Sequence, residues 1–153
     1  MDRRNFLQNH LDENLATLRN NEADTGPEQQ QHLMTVRAII KEVVPVLDEY
    51  NDALNKRNIS TTFTHNDTMF TFLMHYADGG HQGFSIRQDR RFSREYQLMD
   101  LYRNEEGKDH TSWDGSSVVG DAWSIREFEE FVQKSIDEYL FYSPRHGGVK
   151  ELR

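Results

Sequence analysis

The order of hydrophobic periods along the chain predicts an α+β fold: two N-terminal helices, a four-stranded antiparallel meander and a C-terminal helix. Three observations carry this expectation. Apolar residues keep a heptad spacing from Leu33 to Leu54, a period of two takes over between Ile59 and Arg103, and a capping-box sequence at Ser124–Glu127 opens a final helical stripe.

The first helix is expected between Asp2 and Asn20, where Leu7, Leu11, Leu15 and Leu18 share one helical face. The polar run Asn20 to Gly26 should break it. Thr25-Gly26-Pro27-Glu28 then reads as a new start, with Thr25 as cap, Glu28 three residues on and Pro27 at an early position that needs no N–H. The second helix, Pro27 to Arg57, carries Leu33, Val36, Ile40, Val43, Leu47, Tyr50 and Leu54 at alternating spacings of three and four. Ile39, Val44 and Val46 widen that stripe. Pro45 cannot donate to the Lys41 carbonyl and is expected to kink or split the helix.

Strands follow. Ile59 to Thr64 alternates with threonine, and Thr68 to Ala77 places Phe70, Phe72, Met74 and Tyr76 on one face. His65-Asn66-Asp67 and Asp78 to Gly83 are turn sequences. Gly83 to Gln88 and Glu95 to Arg103 supply the third and fourth strands, and the short links imply an antiparallel meander. Residues 104–122 are polar and are read as a long loop. The last helix runs to about Tyr142, with Ile125, Phe128, Val132, Ile136, Tyr139 and Leu140 as its buried stripe, and Pro144 and Gly147-Gly148 end it. Residues 143–153 form a tail. The whole is expected to make one domain, 1–153.

Composition narrows the function classes. Of the 153 residues 29% are charged, 18 Lys+Arg against 26 Asp+Glu, for a net charge of −8. No window approaches the ~18 consecutive apolar residues of a membrane span, and an acidic chain lacks the usual footprint of a nucleic-acid binder. There is no cysteine, which removes disulfides, thiolate metal sites and cysteine nucleophiles together. The N-terminal MDRRNFLQNHLDENL has no apolar run of leader type, so a cytoplasmic location is expected. No phosphate-binding glycine pattern is present: Gly79-Gly80-x-x-Gly83 has the wrong spacing and lies between strands. No cofactor is expected.

Four features invite a functional reading. The heptad seam Leu33, Val36, Ile40, Val43, Leu47, Tyr50 and Leu54 suits an internal core first and a homodimer seam second. Histidines 65, 75, 81 and 110, near Asp67, Asp78, Asp109 and Asp114, suggest metal ligation, but no pair has helix-face ligand spacing, and no metal is expected. Arg87, Arg90, Arg91 and Arg94 around Phe92 form the one basic patch. By segment the net charge is −3 over 1–58, −1 over 59–102 and −4 over 103–153, and every positive charge of the middle segment falls within residues 87–94. Arginine forks with an aromatic suit a partner contact. The long loop gathers Asp109, His110, Ser112, Trp113, Asp114, Ser116 and Ser117, yet no nucleophile-elbow frame positions a serine. Trp113 and Trp123 read better as anchors of the loop on the core or as partner contacts, and Trp113 and Asp114 are the candidate contacts.

The leading expectation is therefore a small acidic protein-binding module, of inhibitor or immunity type, whose partner is another, basic protein. Its contacts would be Arg87, Arg90, Arg91, Phe92, Arg94, Trp113 and Asp114. The alternatives are a small-ligand or hydrolytic pocket between the sheet and residues 104–122, drawing on His75, His110, Asp114 and Asp121, and a dimeric assembly component built on the heptad helix.

Overall fold

A computed structural model describes residues 2–88, 96–103, 109–117 and 123–152, with the side chains of 13–29, 88, 97, 103 and 109–117 outside that description. The α+β arrangement with an antiparallel meander is what the structure shows. Contacts divide the chain into two compact units, Met1–Met34 and Thr35–Arg153.

The helical start differs in one boundary. A short helix α1 (Arg3–Asn5), capped by the Asp2 carboxylate on the Asn5 N–H at 2.8 Å, leads through a π-helical turn (Phe6–His10) into the long helix α2 (Leu11–Lys56). The two-helix expectation thus holds with its joint at residues 6–10, and the break expected at Asn20–Gly26 is corrected: α2 continues through Gly26-Pro27. Local turn signals lose there to propagation, since extending a formed helix costs far less than nucleating one. Pro45 also lies inside α2, at an exposed position, and the Lys41 carbonyl that it leaves without a donor belongs to an exposed residue that water can serve.

In the first unit no described residue is buried. Leu7 is 51% exposed and Met34 70%. Leu15 and Leu18 lie outside the described side chains.

The second unit holds the core. Its sheet runs in the order β1 (Thr61–His65), β2 (Phe70–His75), β3 (His81–Gln88), β4 (Tyr96–Arg103), β5 (Asp109–Ser117), all antiparallel. The fifth strand corrects the expectation of a loop over 104–122. Its sequence, DHTSWDGSS, has no apolar alternation to announce it, and its pairing with β4 shifts register between Gln97 and Met99.

One face of the sheet carries the alternating residues Phe70, Phe72, Met74, Phe84, Ile86 and Leu98, all buried. Val36, Ile39, Ile40, Val43, Leu47 and Leu54 of α2 belong to the same core cluster as Phe128, Val132 and Tyr139 of α3 (Ile125–Tyr142). Phe72 and Phe84 stack at 5.3 Å between centroids, and Phe128 meets Phe70 and Phe84 edge-on at 6.1 and 6.3 Å, geometries aromatic rings prefer. Gly83 is fixed by a close approach: a Cβ there would lie 1.9 Å from the Phe72 carbonyl oxygen. On the opposite face Ser85, Met99 and Leu101 are buried as well.

Ser124 caps α3 through the Glu127 N–H at 3.4 Å, as the sequence pattern requires. Leu140 departs from the expected stripe. It lies one position past Tyr139, on the solvent side, and is exposed. A 3₁₀ turn (Ser143–His146) and two left-handed glycines, Gly147 (φ 76°) and Gly148 (φ 99°), then fold the tail back. Val149 bridges to Tyr76 and Glu151 to Ile59, so the tail lengthens one end of the sheet.

Strand β1 is an edge. The Asn66 N–H donates to the Met69 carbonyl at 2.9 Å and the His75 N–H to the Ser60 carbonyl at 3.1 Å. Even-numbered residues of β1 therefore bond to β2, and the backbone groups of Thr61, Phe63 and His65 point off the sheet.

Candidate functional site

The expected site residues that the structure describes lie on several elements. Of the heptad seam, Val36, Ile40, Val43, Leu47 and Leu54 are buried in the internal core. Tyr50 is half-buried, and its hydroxyl accepts from the Gln133 amide at 3.0 Å. Leu33 is half-buried in the first unit. These seam residues of the second unit are occupied within the chain. Arg87 is half-buried on β3. Arg90, Arg91, Phe92, Arg94 and Asp121 lie outside the described residues. His110, Trp113 and Asp114 fall on β5, where backbone register sets His110 opposite Tyr102 and Trp113 opposite Met99.

His75 lies at the end of β2, opposite His81 across the β2–β3 pair. Its Nε2 is 2.7 Å from the Thr62 hydroxyl, and its ring meets that of His81 edge-on at 6.4 Å. Burial first, then the neighbouring His81 and Lys150, hold its imidazole below the ordinary value of 6.5. His65 is exposed at the end of β1. Among the described residues no three His, Asp or Glu side chains converge as metal ligands would.

The densest polar constellation was not foreseen as a unit. Tyr76, just past β2, lies flat between two rings: Tyr139 at 4.7 Å and 20°, and His146 at 4.1 Å and 4°. Its hydroxyl donates to the Tyr139 carbonyl at 3.0 Å. The Tyr139 hydroxyl donates in turn to the His75 carbonyl. Gln82 continues the network, its amide donating to Glu138 at 3.1 Å. At its far end the His146 Nδ1 is 2.8 Å from the Asp78 carboxylate, which also accepts from the Gly80 N–H at 2.8 Å.

Each titration in this cluster has a cause. Burial drives the Tyr76 hydroxyl far above its usual value, with help from Tyr139 and Asp78, and pushes Tyr139 up to about 12. For Asp78 burial pushes upward, but the Gly80 N–H and His146 outweigh it and keep the carboxyl below the ordinary carboxylate value.

An imidazole bonded to a carboxylate is half of a general-base apparatus. Here the ring is buried, one face is covered by Tyr76, and among the described residues no hydroxyl bonds its other nitrogen. The pair works as a clasp that joins the tail to the β2–β3 turn, with the Asp78 N–H donating to the His146 carbonyl and the Ala77 N–H to that of Gly148.

An exposed apolar stretch precedes the clasp in the chain. Leu140, Phe141 and Tyr142 end α3 as three consecutive exposed large side chains, Phe141 at 73%. Phe141 meets Tyr142 edge-on at 5.1 Å, and the Arg145 guanidinium sits 5.3 Å from the Tyr142 ring centre. Sequence reading missed this patch because Leu140 and Tyr139 both fit the buried stripe by spacing. The signal was available: the four consecutive bulky residues Tyr139 to Tyr142 point round the helix and cannot all be buried on one side.

Comparison with known proteins finds no family model that matches the chain, and no curated protein or solved structure that does. Among the described residues no helix is long and apolar enough to cross a membrane. The α+β class of the fold is therefore the level at which the chain is classified.

Proposed function

We propose that the chain is a protein-binding module that acts through its surface on a more basic protein, in the manner of a cytoplasmic inhibitor or immunity protein. The observation that carries this reading is the Leu140-Phe141-Tyr142 patch with Arg145 beside it. Exposed aromatics and arginine are the residue types that dominate interface energetics. The His146 imidazole that follows the patch is bonded to the Asp78 carboxylate in holding the tail, which favours a recognition role for the exposed aromatic side chains beside it. A net charge of −8 favours a basic partner by raising the rate of encounter and making it salt-dependent.

A photo-reactive benzoylphenylalanine in place of Phe141 tests the proposal in the native cell. One predominant cross-linked protein of basic isoelectric point is expected, and it should be lost when Phe141→Glu accompanies a cross-linker at Tyr142. Cross-links spread evenly over many proteins, or none at either position, would overturn the reading.

A further inference from the structure

We propose that β1 is a strand-accepting edge, and that the segment it accepts is an extended, basic stretch of a partner protein. The proposal goes beyond the aromatic patch, and it rests on the reading of the chain as a binder of a basic protein.

The two edges of the sheet are built differently. Proteins blunt exposed edges with charge, proline, bulges or cover, because a row of unpaired N–H and C=O groups recruits other strands. At the far edge, β5 carries Asp109 and Asp114, and its pairing is interrupted by a register shift. Strand β1 reads Thr-Thr-Phe-Thr-His, with no acidic residue, lysine, arginine or proline, and pairs with β2 in unbroken register from Thr61↔Met74 to His65↔Phe70. The outward N–H and C=O groups of Thr61, Phe63 and His65 meet no partner among the described residues. An edge of β-branched and aromatic residues has high strand propensity and nothing to repel an incoming strand.

Charge selects the occupant. The Thr61 hydroxyl is bonded to Asn51 and Asn55 of α2, the latter at 3.0 Å, so this side of the helix lies over β1. Asp48 precedes Asn51 by three residues and Asp52 precedes Asn55 by three, which sets both carboxylates along the same side. Asp67 follows β1 in the hairpin. All three are exposed, and none has an ion-pair partner among the described residues. A second copy pairing β1 with β1 would bring these carboxylates together on two chains of net charge −8. A strand with lysine or arginine on its helix-side positions instead covers half-buried Phe63 with its methylenes and carries its charge toward Asp48 and Asp52.

The parity of β1 makes the test clean. The His65 N–H points away from β2, so His65→Pro removes no internal hydrogen bond yet blocks the addition of a strand. The probe is a synthetic octapeptide of alternating lysine and threonine, with a glutamate–threonine octapeptide as control. Amide exchange resolved by NMR should show the Thr61, Phe63 and His65 N–H groups slowed by the lysine peptide. Binding should fall at least about tenfold in His65→Pro, consistent with the loss of one or two net hydrogen bonds. In Asp48→Asn/Asp52→Asn/Asp67→Asn, whose exposed positions leave the fold intact, binding should weaken and lose most of its salt dependence. Protection elsewhere, equal binding of the glutamate peptide, unchanged binding in His65→Pro, or concentration-dependent self-pairing of β1 would each overturn the proposal. The Phe141 cross-link reads the parent proposal separately: its persistence in His65→Pro alongside unchanged peptide binding would sink the edge and spare the module.

Discussion

Two stretches of the helical run from Arg3 to Lys56 are treated in opposite ways. In the first unit Leu7, in the turn that leads into α2, and Leu11, at its start, repeat at helical spacing, and both are exposed. In the second unit Val36, Ile40, Val43 and Leu47 repeat at the same kind of spacing and are buried, none more than 4% exposed. Periodicity therefore specifies that a segment is helical and which side is apolar. It does not specify whether anything covers that side. The sheet and α3 cover it in the second unit, and the described residues of the first unit include no such layer.

The contrast is sharpest in the core. Phe72→Ala removes a ring with no solvent exposure that stacks on Phe84, and should cost about 3–5 kcal/mol of unfolding free energy. Denaturant titration of tryptophan fluorescence in a Trp113→Phe background, where Trp123 reports on its contact with Phe128 at 5.6 Å, would measure it. A loss below about 1 kcal/mol would mean that the aromatic face is not the stabilising layer.

A smaller effect is expected from pH. His75 has a folded pKa below 6.5 and Asp78 one below 3.8. Both groups thus bind protons more readily in the unfolded chain, so stability rises with pH across each window. The His75 contribution is complete above 6.5 and is lost as pH falls through its depressed pKa. That of Asp78 is complete above 3.8 and fades below it. His75→Gln should abolish the upper step in a stability–pH profile and leave the lower one, while Asp78→Asn should do the reverse. A profile flat between pH 7 and 3 would contradict both assignments.

The least effect belongs to the first unit. Leu7→Ser with Leu11→Ser should leave the cooperative transition of the second unit within about 0.5 kcal/mol of its original value. A larger shift would break the comparison, because it would require these leucines to pack where none of the described residues buries them.

Much of the second unit was legible from sequence. Its signals were strong ones: six of the seven residues in heptad spacing, Phe70-x-Phe72-x-Met74-x-Tyr76, and Ser124 three residues ahead of Glu127. Where reading failed, the decisive interaction was distant or weakly encoded. Strand β5 is recruited by backbone pairing to β4, although its own residues show no alternation. Gly26-Pro27 looks like a helix boundary locally, but the helix around it decides. Asp78 and His146 are 68 positions apart, and no motif links them. The proposed partner surfaces were harder still. The Arg87–Arg94 cluster drew attention by composition, whereas the β1 edge is visible only once strand order and hydrogen-bond parity are known, and Phe141 only once α3 has a buried side.

The clasp between Tyr76, Asp78 and His146 also sets a timetable. A chain emerging from the ribosome exposes β1, β2 and β3 long before it exposes the tail, and closing so wide a loop is slow relative to pairing neighbouring strands. Until His146, Gly148 and Lys150 arrive, the Ser60, Ala77 and Asp78 N–H groups lack their acceptors, and Tyr76 lacks the ring that covers one of its faces. The strand-to-strand part of the sheet can assemble during synthesis, but the end that carries Phe141 and Tyr142 is finished last. Newly made molecules would hold this end of the sheet partially built until the tail folds home.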